Sequence, residues 1–232
     1  MTESTPARRT RIAKRAGAFD SSGIRKAFDL AARLDDPINL AIGQPDFAMA
    51  AAACAAAREA LDAGKNGYTQ TQGIPQLRER LEAAAREETG QPGRKLCVTS
   101  GSSGALVLVL MTLLDPGDEV ILFEPAFVMY RPLVEFLGGK CVMVDTSPSF
   151  RIDVDAVAAA IGPRTRAIVL NTPSNPTGFV APLETVRALA LLAERSGVTL
   201  VSDELYRSFC YDEPFHSPAL HSDRVVVIDG FS

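Results

Sequence analysis

From residue 95 onward, short runs rich in β-branched residues alternate with longer segments of helical pattern, and no other feature restricts the fold as much. Lys95-Thr99, Glu119-Phe123, Cys141-Val144, Arg166-Leu170, Val198-Ser202 and Val225-Ile228 read as strands. The segments around 103–114, 126–137, 153–160 and 183–195 read as helices, punctuated by Asp115-Pro116-Gly117-Asp118, by Gly138-Gly139 and by Gly197. Such alternation predicts an α/β fold of three layers, α/β/α, in which helices cover a mostly parallel central sheet. Sheets of this kind place ligands at the carboxyl ends of their strands, so chemistry is sought there.

Ahead of residue 95, the alanine-rich stretch Ala48 to Ala57 begins a helix running to Asp62 and stopped by Gly64. A second helical pattern runs from about Ile74 to Glu88, with Leu77 and Leu81 one turn apart. The polar loop Tyr68-Thr69-Gln70-Thr71-Gln72-Gly73 separates them. No internal repeat or low-complexity linker interrupts the chain.

A chain of 232 residues can build a full core for one α/β domain, or for one domain and part of another. Its net charge of −4 argues against a nucleic-acid-binding surface. The longest near-apolar run, Gly104 to Leu114, falls short of the roughly 20 residues needed to cross a bilayer, so no membrane span is expected. Cys54, Cys97, Cys141 and Cys210 lie far apart, and the only histidines are His216 and His221, which fits neither a zinc framework nor a redox motif. Reduced thiols in a cytoplasmic protein are the expectation. Arg8, Arg9, Arg11, Lys14 and Arg15 sit near the start without the apolar core of a secretory signal; they read as a solvated arm, with an organelle transit peptide as the alternative.

Three strand ends carry candidate chemistry. Thr99-Ser100-Gly101-Ser102-Ser103-Gly104 leads into an apolar helix, and the free amides there could cradle a phosphate, although a serine-capped turn also explains the segment. Asn171-Thr172-Pro173-Ser174-Asn175-Pro176-Thr177-Gly178 follows a strand, and its prolines could hold an Asn amide rigidly toward a ligand or simply shape a loop. The Asn175–Pro176 bond is a candidate for the cis form. In Ser202-Asp203-Glu204-Leu205-Tyr206, a carboxylate at the end of a buried strand either caps the next turn or meets a ligand cation, and Tyr206 lies three residues on.

Taken in this order and spacing, these segments resemble those of the fold-type I pyridoxal-phosphate enzymes, and most closely the class I/II aminotransferases. Ile42-Gly43-Gln44-Pro45-Asp46-Phe47, Tyr68 to Gly73 with Leu77-Arg78, Asp115-Pro116-Gly117-Asp118-Glu119-Val120, Asn175-Pro176-Thr177-Gly178 and Ser202 to Tyr206 carry the likeness, which covers about residues 20 to 232. The resemblance implies that the amides of Ser102, Ser103 and Gly104, with the Ser103 hydroxyl, hold the phosphate of pyridoxal 5′-phosphate. It further implies that Phe127 stacks on the pyridine ring, that Asp203 pairs with the ring nitrogen, and that Asn175 and Tyr206 hydrogen-bond the ring oxygen. Gly43 and Asn175 would lie against the substrate, and Ser232 would join the cofactor set. Tyr68 would reach the phosphate of a neighbouring subunit, which implies a homodimer. The substrates implied are an L-amino acid and a 2-oxo acid.

In that family a lysine anchors the cofactor covalently, after a strand and a Gly-Phe-Ser-like turn. Here Val225 to Ile228, Asp229, Gly230, Phe231 and Ser232 end one position before it, and Lys14, Lys26, Lys65, Lys95 and Lys140 all precede the Asp203 strand. The expectation is therefore a truncated and inactive portion of an aminotransferase: residues 1–45 as an N-terminal arm with part of an incomplete small domain, and residues 46–232 as the cofactor-binding large domain, cut at its C-terminal end. A carbon–sulfur lyase or decarboxylase on the same scaffold, or a noncatalytic cofactor-binding module, are the alternatives. A nicotinamide oxidoreductase is disfavoured because the glycine fingerprint is missing.

Overall fold

The computed structural model describes residues 12–17, 30–35, 38, 43 and 45–231. Most of the expected arm, 1–45, lies outside them, as does Ser232. A single helical turn, Lys14–Gly17, precedes six longer helices: α1 Ala51–Asp62, α2 Pro75–Thr89, α3 Gly101–Leu113, α4 Tyr130–Phe136, α5 Val154–Ala160 and α6 Leu183–Ser196. Five strands, β1 Glu119–Glu124, β2 Lys140–Asp145, β3 Thr165–Asn171, β4 Thr199–Asp203 and β5 Val226–Ile228, pair in the order β2-β1-β3-β4-β5. Every pairing is parallel.

Side-chain alternation along the strands divides the core into two layers. Ile121, Ile168, Leu170 and Leu200 pack with Val157 of α5 and Leu189 and Ala193 of α6 on one face. Val120, Leu122, Ala167, Val169 and Val201 pack with Leu106 and Leu110 of α3 and Tyr130, Leu133 and Val134 of α4 on the other. Consecutive residues of β3 thus feed opposite layers, as a strand buried on both faces requires. At the end of α6, Gly197 takes a left-handed φ of 67° and donates its N–H to the Ala193 and Glu194 carbonyls, which stops the helix and turns the chain into β4.

The chain leaves β1 toward β2 on one side, then crosses back to β3 on the other. The order reverses between β1 and β3, where an open parallel sheet leaves a crevice at its carboxyl edge. A cavity lies there, lined by Phe123, Phe127, Tyr130, Asn171, Asn175 and Thr177 among others.

Two expectations need correction. Lys95-Thr99 is not a strand; its Val98 N–H donates to the Gln72 carbonyl at 3.0 Å and its Leu96 N–H to Glu82 Oε1 at 3.4 Å, and no ladder partner flanks it among the described residues. A β-branched run becomes a strand only where a neighbour accepts its hydrogen bonds. The helix expected over 126–137 begins only at Tyr130, because Pro132 is tolerated no deeper than the first turn. Among the described residues no helix is long and apolar enough to cross a membrane, and no three potential ligands cluster to hold a metal ion.

Candidate active site

β3 and β4 end together: Asn171 pairs in register with Asp203, and the Thr172 N–H donates to the Asp203 carbonyl at 3.2 Å. Parallel pairing to the last residue places Asp203 at the sheet's carboxyl edge, where its side chain is only 5% exposed. The Tyr130 hydroxyl donates to Asp203 Oδ2 at 2.7 Å, while Oδ1 receives only a long 3.4 Å bond from the Leu205 N–H. Burial pushes the Asp203 carboxyl above the usual range, Asp229 adds to this, and the Tyr130 and Leu205 donors oppose it. No cationic side chain among the described residues pairs with it. Asp203 therefore caps the Leu205 turn weakly through Oδ1, and its buried carboxyl meets no cation among the described residues.

Tyr130 is buried at the start of α4. Burial first, then the Asp203 charge and hydrogen bond, drive its hydroxyl far above the ordinary phenol range, so it stays a donor. Phe127, half-buried, meets the Tyr130 ring edge-on, with centroids 5.5 Å apart and planes at 74°. Tyr206 lies within electrostatic reach of Tyr130 in the turn after β4. Phe127, Tyr130, Asp203 and Tyr206 thus form one neighbourhood.

The loop after β3 is tied internally: Ser174 N–H donates to the Phe179 carbonyl at 3.0 Å and Gly178 N–H to the Ser174 carbonyl at 2.7 Å. The Asn175–Pro176 bond is cis, as is Thr172–Pro173. Asn175 N–H donates to Asn171 Oδ1 at 2.7 Å, and the half-buried Asn175 side-chain amide makes no hydrogen bond among the described residues. Asn171 in turn donates its Nδ2–H to the Asp203 carbonyl at 3.1 Å.

At the start of α3, Ser102 and Ser103 occupy the first turn, where backbone amides have no helical acceptor. Their hydroxyls make no hydrogen bond among the described residues. The Gly104 N–H instead approaches the Ser100 carbonyl at 3.3 Å. A Cβ at Gly104 would come within 3.3 Å of the Ser100 Cβ, so the glycine permits the tight entry into the helix. Ala105 and Leu106 pack in the same layer as Phe127, Tyr130, Val201 and Ile228, which joins this turn to the Asp203 side of the sheet.

Glu204, next to Asp203, is 1% exposed, and burial pushes its carboxyl up to about 7, opposed by the Ser217 hydroxyl that donates to Oε1 at 2.7 Å. Tyr68 is fully exposed in its loop and Gly43 is exposed. Ser232 lies outside the described residues. Sequence reasoning passed over Tyr130 and named Asn171 only within its loop segment, without a role of its own. Tyr130 had a signal in Phe127-x-x-Tyr130, a spacing that puts two aromatics on one side of a turn; Asn171 had one in closing β3 with an amide.

Residues 35–232 match the family model for class I and II aminotransferases. A probable aspartate aminotransferase of Methanocaldococcus jannaschii is 42% identical over 95% of this chain and 59% of its own length. An aspartate/prephenate aminotransferase of Thermus thermophilus is 43% identical over 83% of the chain and 51% of that protein. The aspartate aminotransferase of Thermus thermophilus solved with maleate superposes with a TM-score of 0.89 at 38% identity, covering 96% of this chain and 60% of that one. The chain spans three-fifths or less of the length of these relatives.

Proposed function

This chain belongs to the class I and II aminotransferases, and from that premise we propose that it supplies the cofactor-binding face of an enzyme moving an amino group from an L-amino acid to a 2-oxo acid. Members of the family depend on pyridoxal 5′-phosphate. When bound, this cofactor supplies a pyridinium ring that accepts the charge released as the substrate Cα–H bond breaks. The donor set on this chain fits it. Among the described residues Asp203 is a buried carboxylate without a cation, and it would hold a protonated ring nitrogen; the Asn175 amide, unpaired among those residues, and the hydroxyl of Tyr206 suit the ring oxygen. The Phe127 face would cover the ring, and Ser102 and Ser103 would hold the phosphate with first-turn amides and hydroxyls.

The observation that carries this reading is the buried Asp203 carboxyl beside the Asn175 loop, held by Tyr130 and met by no cation among the described residues. Pyridoxine 5′-phosphate tests it, because it lacks the aldehyde that reacts with surface lysines. Titration calorimetry is expected to show saturable binding to the chain, weakened at least about tenfold by Asp203→Ala, since a charged hydrogen bond is lost. Equal binding by both proteins would overturn the reading.

The proposal extends to a cytoplasmic homodimer with residues 46–232 as the cofactor domain and 1–45 as an arm with part of a small domain. Four free cysteines support the compartment, and the outward-facing Tyr68 supports the dimer by offering a phenol to a second subunit.

A further inference from the structure

Asn171 makes a connection that no other side chain in the site makes. Its carboxamide accepts the Asn175 N–H at 2.7 Å and donates to the Asp203 carbonyl at 3.1 Å. One planar group therefore bridges the loop bearing one polar side chain of the site to the strand end bearing another. The loop's remaining backbone bonds, from Ser174 to Phe179 and from Gly178 to Ser174, close it on itself without reaching β4. The Thr172 hydroxyl accepts the Ala181 N–H at 2.9 Å, again within the segment that follows β3. The Thr172 N–H ties the strand ends together, yet it leaves the position of Asn175 open.

We propose that Asn171 is a positioning residue that sets the Asn175 amide at a fixed offset from the Asp203 carboxylate, so that the pair spans one hydroxypyridine ring, nitrogen at one end and 3-oxygen at the other. This rests on the cofactor reading above. Both groups must meet one rigid ligand, and a carboxamide that donates at one end and accepts at the other transmits the register of β4 to the loop through two bonds. An aliphatic side chain would leave the Asn175 N–H without its partner and the loop free to shift relative to β4.

The test compares pyridoxine 5′-phosphate with its 3-deoxy analogue on the 232-residue chain by titration calorimetry. The wild type is expected to prefer the 3-hydroxy ligand. Asn171→Ala is expected to weaken the 3-hydroxy ligand about tenfold, the size of one lost hydrogen bond, and to leave the 3-deoxy ligand within about twofold, which erases the preference. Asn175→Ala made on top of Asn171→Ala is expected to add little. Partial unfolding lowers both affinities equally and cancels in their ratio, so the readout separates positioning from a merely structural role. If Asn171→Ala does not fold, the same ratio in Asn171→Asp decides, because that variant keeps the acceptor and loses the donor toward Asp203. A preference retained in the variant, or both ligands weakened equally, would overturn the proposal while leaving the cofactor reading intact. Failure of the wild type to bind either ligand would overturn both.

Discussion

Tyr130 and Asp203 share one short hydrogen bond, and each alters what the other can do. A carboxylate held in a buried site drifts toward the neutral acid, and the Tyr130 hydroxyl is the strongest opposing influence on it. Tyr130→Phe keeps the ring and its edge-on contact with Phe127 but removes the donor, so the carboxyl of Asp203 rises further. Binding of a protonated pyridine requires the ionised acid and is lost as pH falls through that pKa. The lower pH midpoint for pyridoxine 5′-phosphate binding is therefore expected to move up in Tyr130→Phe, with affinity at neutral pH reduced about fivefold. An unmoved midpoint would mean the phenol does not tune the acid. Glu204 gives a second pH dependence, in stability. Its folded pKa, about 7, lies above the ordinary 4.5, so its contribution is full below pH 4.5 and is lost as pH rises toward 7. Arg94, Arg207 and Asp229 surround it, and the arginines soften the loss. Glu204→Gln is expected to remove on the order of 3 kcal/mol from the decline between pH 4.5 and 8 in urea-unfolding curves. Asp203, Asn175 and Tyr206 could be singled out as candidates because each sits at or just after a strand end, whereas Phe127 entered only through the family resemblance. Tyr130 was not singled out, because an aromatic in a helical pattern reads as core, and its bond to Asp203 spans 73 residues of sequence.

Helix α3 joins the core to the site, with Leu106 and Leu110 fully packed behind a first turn of small residues. Burial at one end holds the other end still, so the amides of Ser102 and Ser103 can face an anion without moving to meet it. Ser103→Ala is expected to reduce affinity for pyridoxine 5′-phosphate about three- to tenfold and to leave unphosphorylated pyridoxine unaffected, measured by the same calorimetric titration. Equal effects on both ligands would place Ser103 away from the phosphate. The strands and helices of this layer were readable within a few residues because parallel strands buried on both faces must be continuous apolar runs. The exception, Lys95-Thr99, carries the same composition as a strand but has no pairing strand among the described residues, and pairing over long sequence distances is not encoded in a local run. The shortened α4 was legible in hindsight from Pro132 alone.

Five parallel strands covered on both faces leave the outer side of α3 as one of the places where apolar residues meet water. Leu108 is 52% exposed and Met111 60%, three residues apart on the same helix and therefore on one surface. Neither belongs to the fully buried core, so their contribution to folding is small, whereas their exposure favours association between copies. Leu108→Glu with Met111→Lys separates the two effects. The pair leaves the net charge at −4, sets the acid one turn before a base in the last turn of the helix, and removes only apolar surface. Sedimentation velocity is expected to show concentration-dependent association in the wild type and less in the double variant, with the thermal midpoint within about 2 °C because neither side chain is lost from the interior. A midpoint lowered by much more would show that both residues pack against the protein itself, and an unchanged association would locate the sticky surface elsewhere, with exposed Tyr211 and Phe231 the next apolar groups to substitute.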